Sequence, residues 1–129
     1  MTPRTAGGSP SARDGRLAKA TQFQLAADLI LDLANGDAEL LDAYVTLCVH
    51  SGIASADVIC MDRAGVYSRS ERHEDAVALL ERVDRDAAKD LAALLAMKTR
   101  AGYSDVPVRP REVQRAGRAV VNLLAKARA

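Results

Sequence analysis

Apolar residues recur at three- and four-residue spacing along most of the chain, the signature of helices that bury one face. Phe23, Ala26, Ala27, Ile30, Leu33 and Ala34 form the first such face and predict a helix over 17–35. Asn35-Gly36 follows as a stop, with Gly36 free to take the left-handed closing conformation, and Asp37 is placed to cap the next helix. That helix, over 38–63, is apolar on most faces and is therefore the central, most buried one. Gly52 at its middle costs about 1 kcal/mol against Ala, which points to close approach by another element or to a bend. Gly65 ends it. Ser68 with Glu71 three residues on reads as a capping box for a helix over 70–83, with Ala76, Val77, Leu79, Leu80 and Val83 inward. After a break at 84–86, a helix over 86–101 places Leu91, Leu94, Leu95 and Lys98 on one stripe, and Gly102 stops it. Pro110 suits the first turn of a last helix over 110–127, which buries Val113, Ala116, Val120, Leu123 and Leu124. Residues 1–16 carry Pro, Gly, Ser, Thr and Arg without period and read as a disordered tail ahead of a domain over 17–129. The expected fold is all-α, an up-and-down bundle of about five helices with short loops.

Composition sharpens this. Of the 129 residues, 25 are Ala and 15 Leu, so strong helix formers dominate, while Val and Ile are too few for a large sheet. One Phe, three Tyr and no Trp argue against a binder of single-stranded nucleic acid that stacks successive bases on aromatic platforms. The net charge of +1 excludes a bulk polycation. It conceals an asymmetry: residues 1–66 hold 5 basic and 8 acidic side chains, and residues 67–129 hold 13 and 9. The second half suits an anionic partner.

Cys48 and Cys60 are twelve apart within one predicted helix. A straight helix holds them about 18 Å apart, well beyond the roughly 7 Å that a disulfide spans. They read as reduced core thiols, and no second Cys or His pair suggests zinc. No secretory h-region precedes them and no stretch reaches the length of a membrane helix, so a cytoplasmic protein without metal, cofactor or membrane association is expected.

Three constellations could carry chemistry. His50 and Asp57 lie seven apart on one helical face, with Ser51 and Ser55 adjacent. Two turns separate the first pair by about 10 Å, too far for a hydrogen bond. Nothing orients the imidazole as a base, so these residues do not form a hydrolytic triad. The plainer reading is a boundary His and an Asp bonded to a neighbour. The second is Arg69-Ser70-Glu71-Arg72-His73-Glu74-Asp75. An imidazole can move a proton, and arginines can hold a phosphate or the charge of a phosphorane. The alternative is a solvated first turn whose Glu74 and Asp75 favour the positive helix end. The third is a basic stripe, Arg111, Arg115 and Arg118, with Lys98 and Arg100 near the end of the preceding helix. It is either an anion-binding face or a solvated one. Glycine spacing excludes a P-loop or Rossmann fingerprint.

The run CVHSGIASADVIC, then HEDAVALL, then LLAMKTRAGYSDVPVRPREVQRAGRAVVNLL resembles the HEPN family (higher eukaryotes and prokaryotes nucleotide-binding domain), and most closely its small single-domain actinobacterial members. The resemblance covers about residues 20–127 and rests on Ala56-Asp57, on His73 to Leu80, and on Lys98 to Tyr103. It implies a helical bundle that dimerises, and often a metal-independent endoribonuclease of toxin or defence type beside a nucleotidyltransferase-like antitoxin. The family's ribonucleases place an Arg, then four to six intervening residues, then a His. Neither histidine here has that Arg, and Lys98 is followed after four residues by Tyr103 rather than an imidazole. The expectation is therefore a homodimeric module that binds a nucleotide, RNA or a partner through residues such as Asp57, His50, Lys98, Arg100, Tyr103, Arg111, Arg115 and Arg118. One alternative is an active ribonuclease using His73 with Arg69 and Arg72. A second is a non-catalytic helical adaptor.

Overall fold

The computed structural model describes residues 4–35 and 38–129. A short strand β1 (Thr5–Gly7) precedes α1 (Pro10–Ala34). A 3-10 turn (Ala38–Leu40) leads into α2 (Leu41–Ala64), followed by β2 (Val66–Ser68). Three further helices complete the chain: α3 (His73–Glu81), α4 (Arg85–Gly102) and α5 (Pro110–Arg128). The protein is an all-α bundle of five helices with one two-stranded ribbon among the described residues.

The first helix starts well before Leu17. Ser9 caps it by accepting from the Ala12 amide at 3.0 Å, and Pro10 occupies the first turn. Ahead of it, β1 pairs antiparallel with β2, Thr5 opposite Ser68 and Gly7 opposite Val66. The arginines of the supposed tail also find distant acids. Arg13 donates to both Asp62 oxygens at 2.9 and 3.2 Å, and Arg16 lies 3.5 Å from Asp57. Residues 4–16 are thus part of the fold, because the β1 backbone, Arg13 and Arg16 find partners roughly forty to sixty residues along the chain. At its other end α1 closes on Asn35 in the left-handed region (φ 44°), a conformation Asn tolerates better than most residues. The expected roles of Gly36 and Asp37 fall outside the described residues.

Helix α2 is the axis of the bundle, with 13 of its 24 residues buried. Its most apolar window has a mean hydropathy of 1.4 and is long enough to cross a membrane, but 72% of that window is buried against the other helices. Gly65 ends it with φ 75°. The core joins Val45, Cys48, Val49, Val58 and Ile59 of α2 to Leu80, Leu91, Leu94 and Leu123. Both cysteines are buried free thiols.

The Ser68–Glu71 capping box does not form. Ser68 lies in β2, and α3 begins at His73 with Arg72 as its extended cap residue. Ser70 does the local work instead: its hydroxyl donates to Asp75 at 2.6 Å and accepts from the Arg72 amide at 3.1 Å. The break before α4 centres on Asp84, whose carboxylate accepts from the Ala87 amide, Arg63 and Lys126, each at 2.9 Å. One carboxylate thereby caps α4 and ties it to α2 and α5. On α1 the expected inward Leu33 is 75% exposed, and Leu25 and Leu29 join it on a face uncovered by the rest of the chain.

A Cβ built on Gly52 would run into the Leu94 Cδ1 methyl and touch Leu123. Gly15, on α1, faces open space. Gly52→Ala is therefore expected to destabilise the protein by about 1–3 kcal/mol through overpacking, despite its gain in helix propensity. Gly15→Ala is expected to stabilise it by about 0.5–1 kcal/mol. Urea denaturation of both variants checks this, and equal shifts would contradict the close approach.

Candidate ligand cleft

A cavity of about 410 Å³ opens between α2, α4 and the β2–α3 connection. Its floor is apolar: Ile53, Ala56 and Cys60 come from α2, Ala76 and Leu79 from α3, and Leu91 and Leu95 from α4. Its rim is polar and mostly cationic. Arg16 reaches it from α1, Arg69 and Arg72 from the connection, His73 from the first turn of α3 and Lys98 from α4, with Asp57 and Glu71 as the carboxyls. Five residues chosen on sequence grounds, Asp57, Arg69, Arg72, His73 and Lys98, thus meet in one place.

Several contacts shape the rim. The Arg69 amide donates to the Arg4 carbonyl at 2.9 Å, so the N-terminal strand holds the start of the connection. The Ser70 bridge to Asp75 and to the Arg72 amide fixes its end. Arg72 itself pairs with Glu74 at 2.8 Å in solvent, an exposed pair that contributes little to stability. Arg16 lies over the Tyr67 ring, 5.5 Å from its centroid, while facing Asp57. Lys98 is half-buried, and among the described residues neither it nor the Arg69 side chain has an anionic partner. A partly desolvated, unpaired ammonium above an apolar floor favours an incoming anion.

Asp57 is the chemically unusual group. Its side chain is 14% exposed, and burial pushes its carboxyl up to about 6, with Arg16 opposing the shift. Cys60 beside it is no nucleophile: burial and the Asp57 charge push its thiol up to about 12, against Arg63, so it stays protonated.

Other candidates lie elsewhere. Ser51 and Ser55 face the core; Ser51 donates to the Ala20 carbonyl at 2.7 Å, and the Ser55 hydroxyl has no partner among the described residues. His50 is exposed and packs on Phe23, ring centroids 5.4 Å apart. Arg115 is engaged by the buried Asp90 at 2.9 Å and Arg100 lies 3.5 Å from Glu112, so two members of the basic stripe serve helix pairing. Arg111 and Arg118 are exposed on α5, away from the cavity. Among the described residues no three His, Cys, Asp or Glu side chains are grouped to hold a metal. On sequence grounds Arg16 falls in the tail, with no more than a transient basic contact, although Ser9-Pro10 is a helix-start signal that would have moved it out of the tail.

No family model matches the chain, and neither a curated protein nor a solved structure matches it.

The raised Asp57 carboxyl has a thermodynamic consequence. The folded state holds this proton more tightly than the unfolded chain does. Its contribution is therefore fully present below about pH 4 and is lost as the pH rises through about 6. Asp57→Asn stays neutral throughout. Between pH 4 and 7 the wild type is expected to lose roughly 1–3 kcal/mol relative to the variant. Urea titrations of both proteins across that range check it, and parallel curves would show that the carboxyl titrates normally.

Proposed function

We propose that this chain is a HEPN-like binding module for a nucleotide or single-stranded RNA, held in the cleft between α2 and α4. The observation that carries the reading is a pair of cations, Lys98 and Arg69, that have no anionic partner among the described residues and line a cleft with an apolar floor. A phosphate satisfies such cations, and an apolar floor suits the face of a base or ribose. The family resemblance adds a homodimer, a toxin–antitoxin or defence setting, and a nucleotidyltransferase-like antitoxin as partner. The exposed leucines of α1 support association of some kind, since a monomer rarely leaves such a row open.

A second reading, an active endoribonuclease, is favoured by one observation: His73 shares the cavity with Arg69, Arg72 and the raised carboxyl of Asp57. His73 and Asp57 would be its two proton carriers. One would take the 2′-hydroxyl proton as that oxygen attacks phosphorus, and the other would protonate the departing 5′-oxygen. Arg69 and Arg72 would stabilise the charge on the phosphorane.

One titration separates the readings. Fluorescent single-stranded RNA is expected to bind the purified protein, with affinity about tenfold lower for Lys98→Gln or Arg69→Gln, the size of one lost charge-assisted contact. Intact RNA after long incubation leaves the binding module. Cleavage that disappears in His73→Ala replaces it with the ribonuclease. Absence of binding by the wild type overturns both.

A further inference from the structure

The cleft is one end of a longer trough. Along α2 its wall steps through Cys60, Asp57 and Ile53. The same three-and-four spacing continues through His50, Val49 and Thr46, which line a second chamber of about 110 Å³. Along α4 the opposite wall runs Leu91, Leu95, Lys98 and Gly102, again on one face. Lys98 lines both chambers, so the unpaired ammonium stands at their junction.

The far chamber is lined differently from the near one. It has no apolar floor comparable to that of the near cavity, but two rings flank it. His50 is exposed, with its imidazole braced by Phe23 from α1. Tyr103 is 80% exposed, an uncommon placement for an aromatic ring in a chain with so few of them. Its backbone is anchored: the amides of Tyr103 and Ser104 both donate to the Thr99 carbonyl at 2.9 Å, which ties the residue to the end of α4. A solvent-facing phenol ring on an anchored backbone, lining one chamber with an imidazole and with a cation that has no anionic partner among the described residues, is a platform for a planar group attached to an anion.

We infer that the far chamber is a second subsite of the same groove, so that the ligand is a single strand of at least two nucleotides. Lys98 holds the phosphodiester between them. One nucleoside lies on the apolar floor beside Ile53 and Leu95, and the base of the next stacks on Tyr103 beside His50. A base that stacks on the Tyr103 ring has to leave its stack in a duplex, which favours a single strand. This inference rests on the reading of the cleft as a phosphate-binding site.

The test is a binding ladder of adenosine 5′-monophosphate, the dinucleotide ApA and hexa-adenylate. It is run against the wild type, Tyr103→Ala, Tyr103→Phe and Lys98→Gln. ApA is expected to bind about tenfold tighter than the mononucleotide, the weight of one stacked base. Tyr103→Ala is expected to remove that gain while leaving mononucleotide affinity unchanged, and Tyr103→Phe to retain it. Lys98→Gln should weaken all three ligands. Because Tyr103 is exposed, its loss does not threaten folding. Mononucleotide binding with no gain for ApA, or a gain that survives Tyr103→Ala, overturns the second subsite and leaves the first standing. Failure of every ligand overturns the reading of the cleft and the subsite with it.

Discussion

The approach of α4 to α2 at Gly52 sets the geometry on which the rest of the molecule depends. Helix α2 is buried on most of its circumference, so its neighbours must reach it from several sides. With no side chain at Gly52, the Leu94 methyl group closes directly on the α2 backbone. Leu91 and Leu95, flanking Leu94 on α4, then fall along the trough, and Lys98 follows one turn after Leu94. The width of the cleft and the place of its cation are thus consequences of one close helix contact. The alanines and small residues of α2 serve the same end, since each removed methyl lets a neighbouring helix come nearer.

Two half-buried carboxyls show how the same residue type is used for opposite purposes. Asp84 accepts a backbone amide and two cations, and these bonds pull its carboxyl down to about 2 against the cost of burial. It is charged under all ordinary conditions and acts as a three-way tie between α2, α4 and α5. Asp57 has only the more distant Arg16, too little to offset burial, and is pushed up to about 6. One group is satisfied by the fold. The other is left poised at the edge of a cavity, as titratable groups at binding sites commonly are.

Much of the fold follows from local chemistry, which is why it was legible. The break before α4 lies where Asp84 can cap, Gly65 stops α2 where a left-handed residue is needed, and Pro110 opens α5. What sequence spacing missed depends on long-range pairs. Arg13 and Arg16 look like tail residues until Asp62 and Asp57 are brought opposite them. Ser68 looks like a cap until β1 recruits it into a strand. Leu33 fits the apolar period of α1, but the bundle covers only the Ala20, Ala27 and Ala34 side of that helix. In the same way, Asp57, His73 and Lys98 could each be singled out as chemically capable residues. Only the packing of α2, α3 and α4 makes them neighbours, and it equally sends Arg115 to Asp90 and Arg100 to Glu112.

The central claim is that the trough between α2 and α4, not the basic face of α5, receives an anionic ligand. A backbone amide chemical-shift map of the full chain, recorded while single-stranded RNA is added, addresses it directly. The account predicts perturbations clustered at Asp57, Arg69, His73, Lys98 and Tyr103. Perturbations centred on Arg111 and Arg118, or on the leucine face of α1, would contradict it.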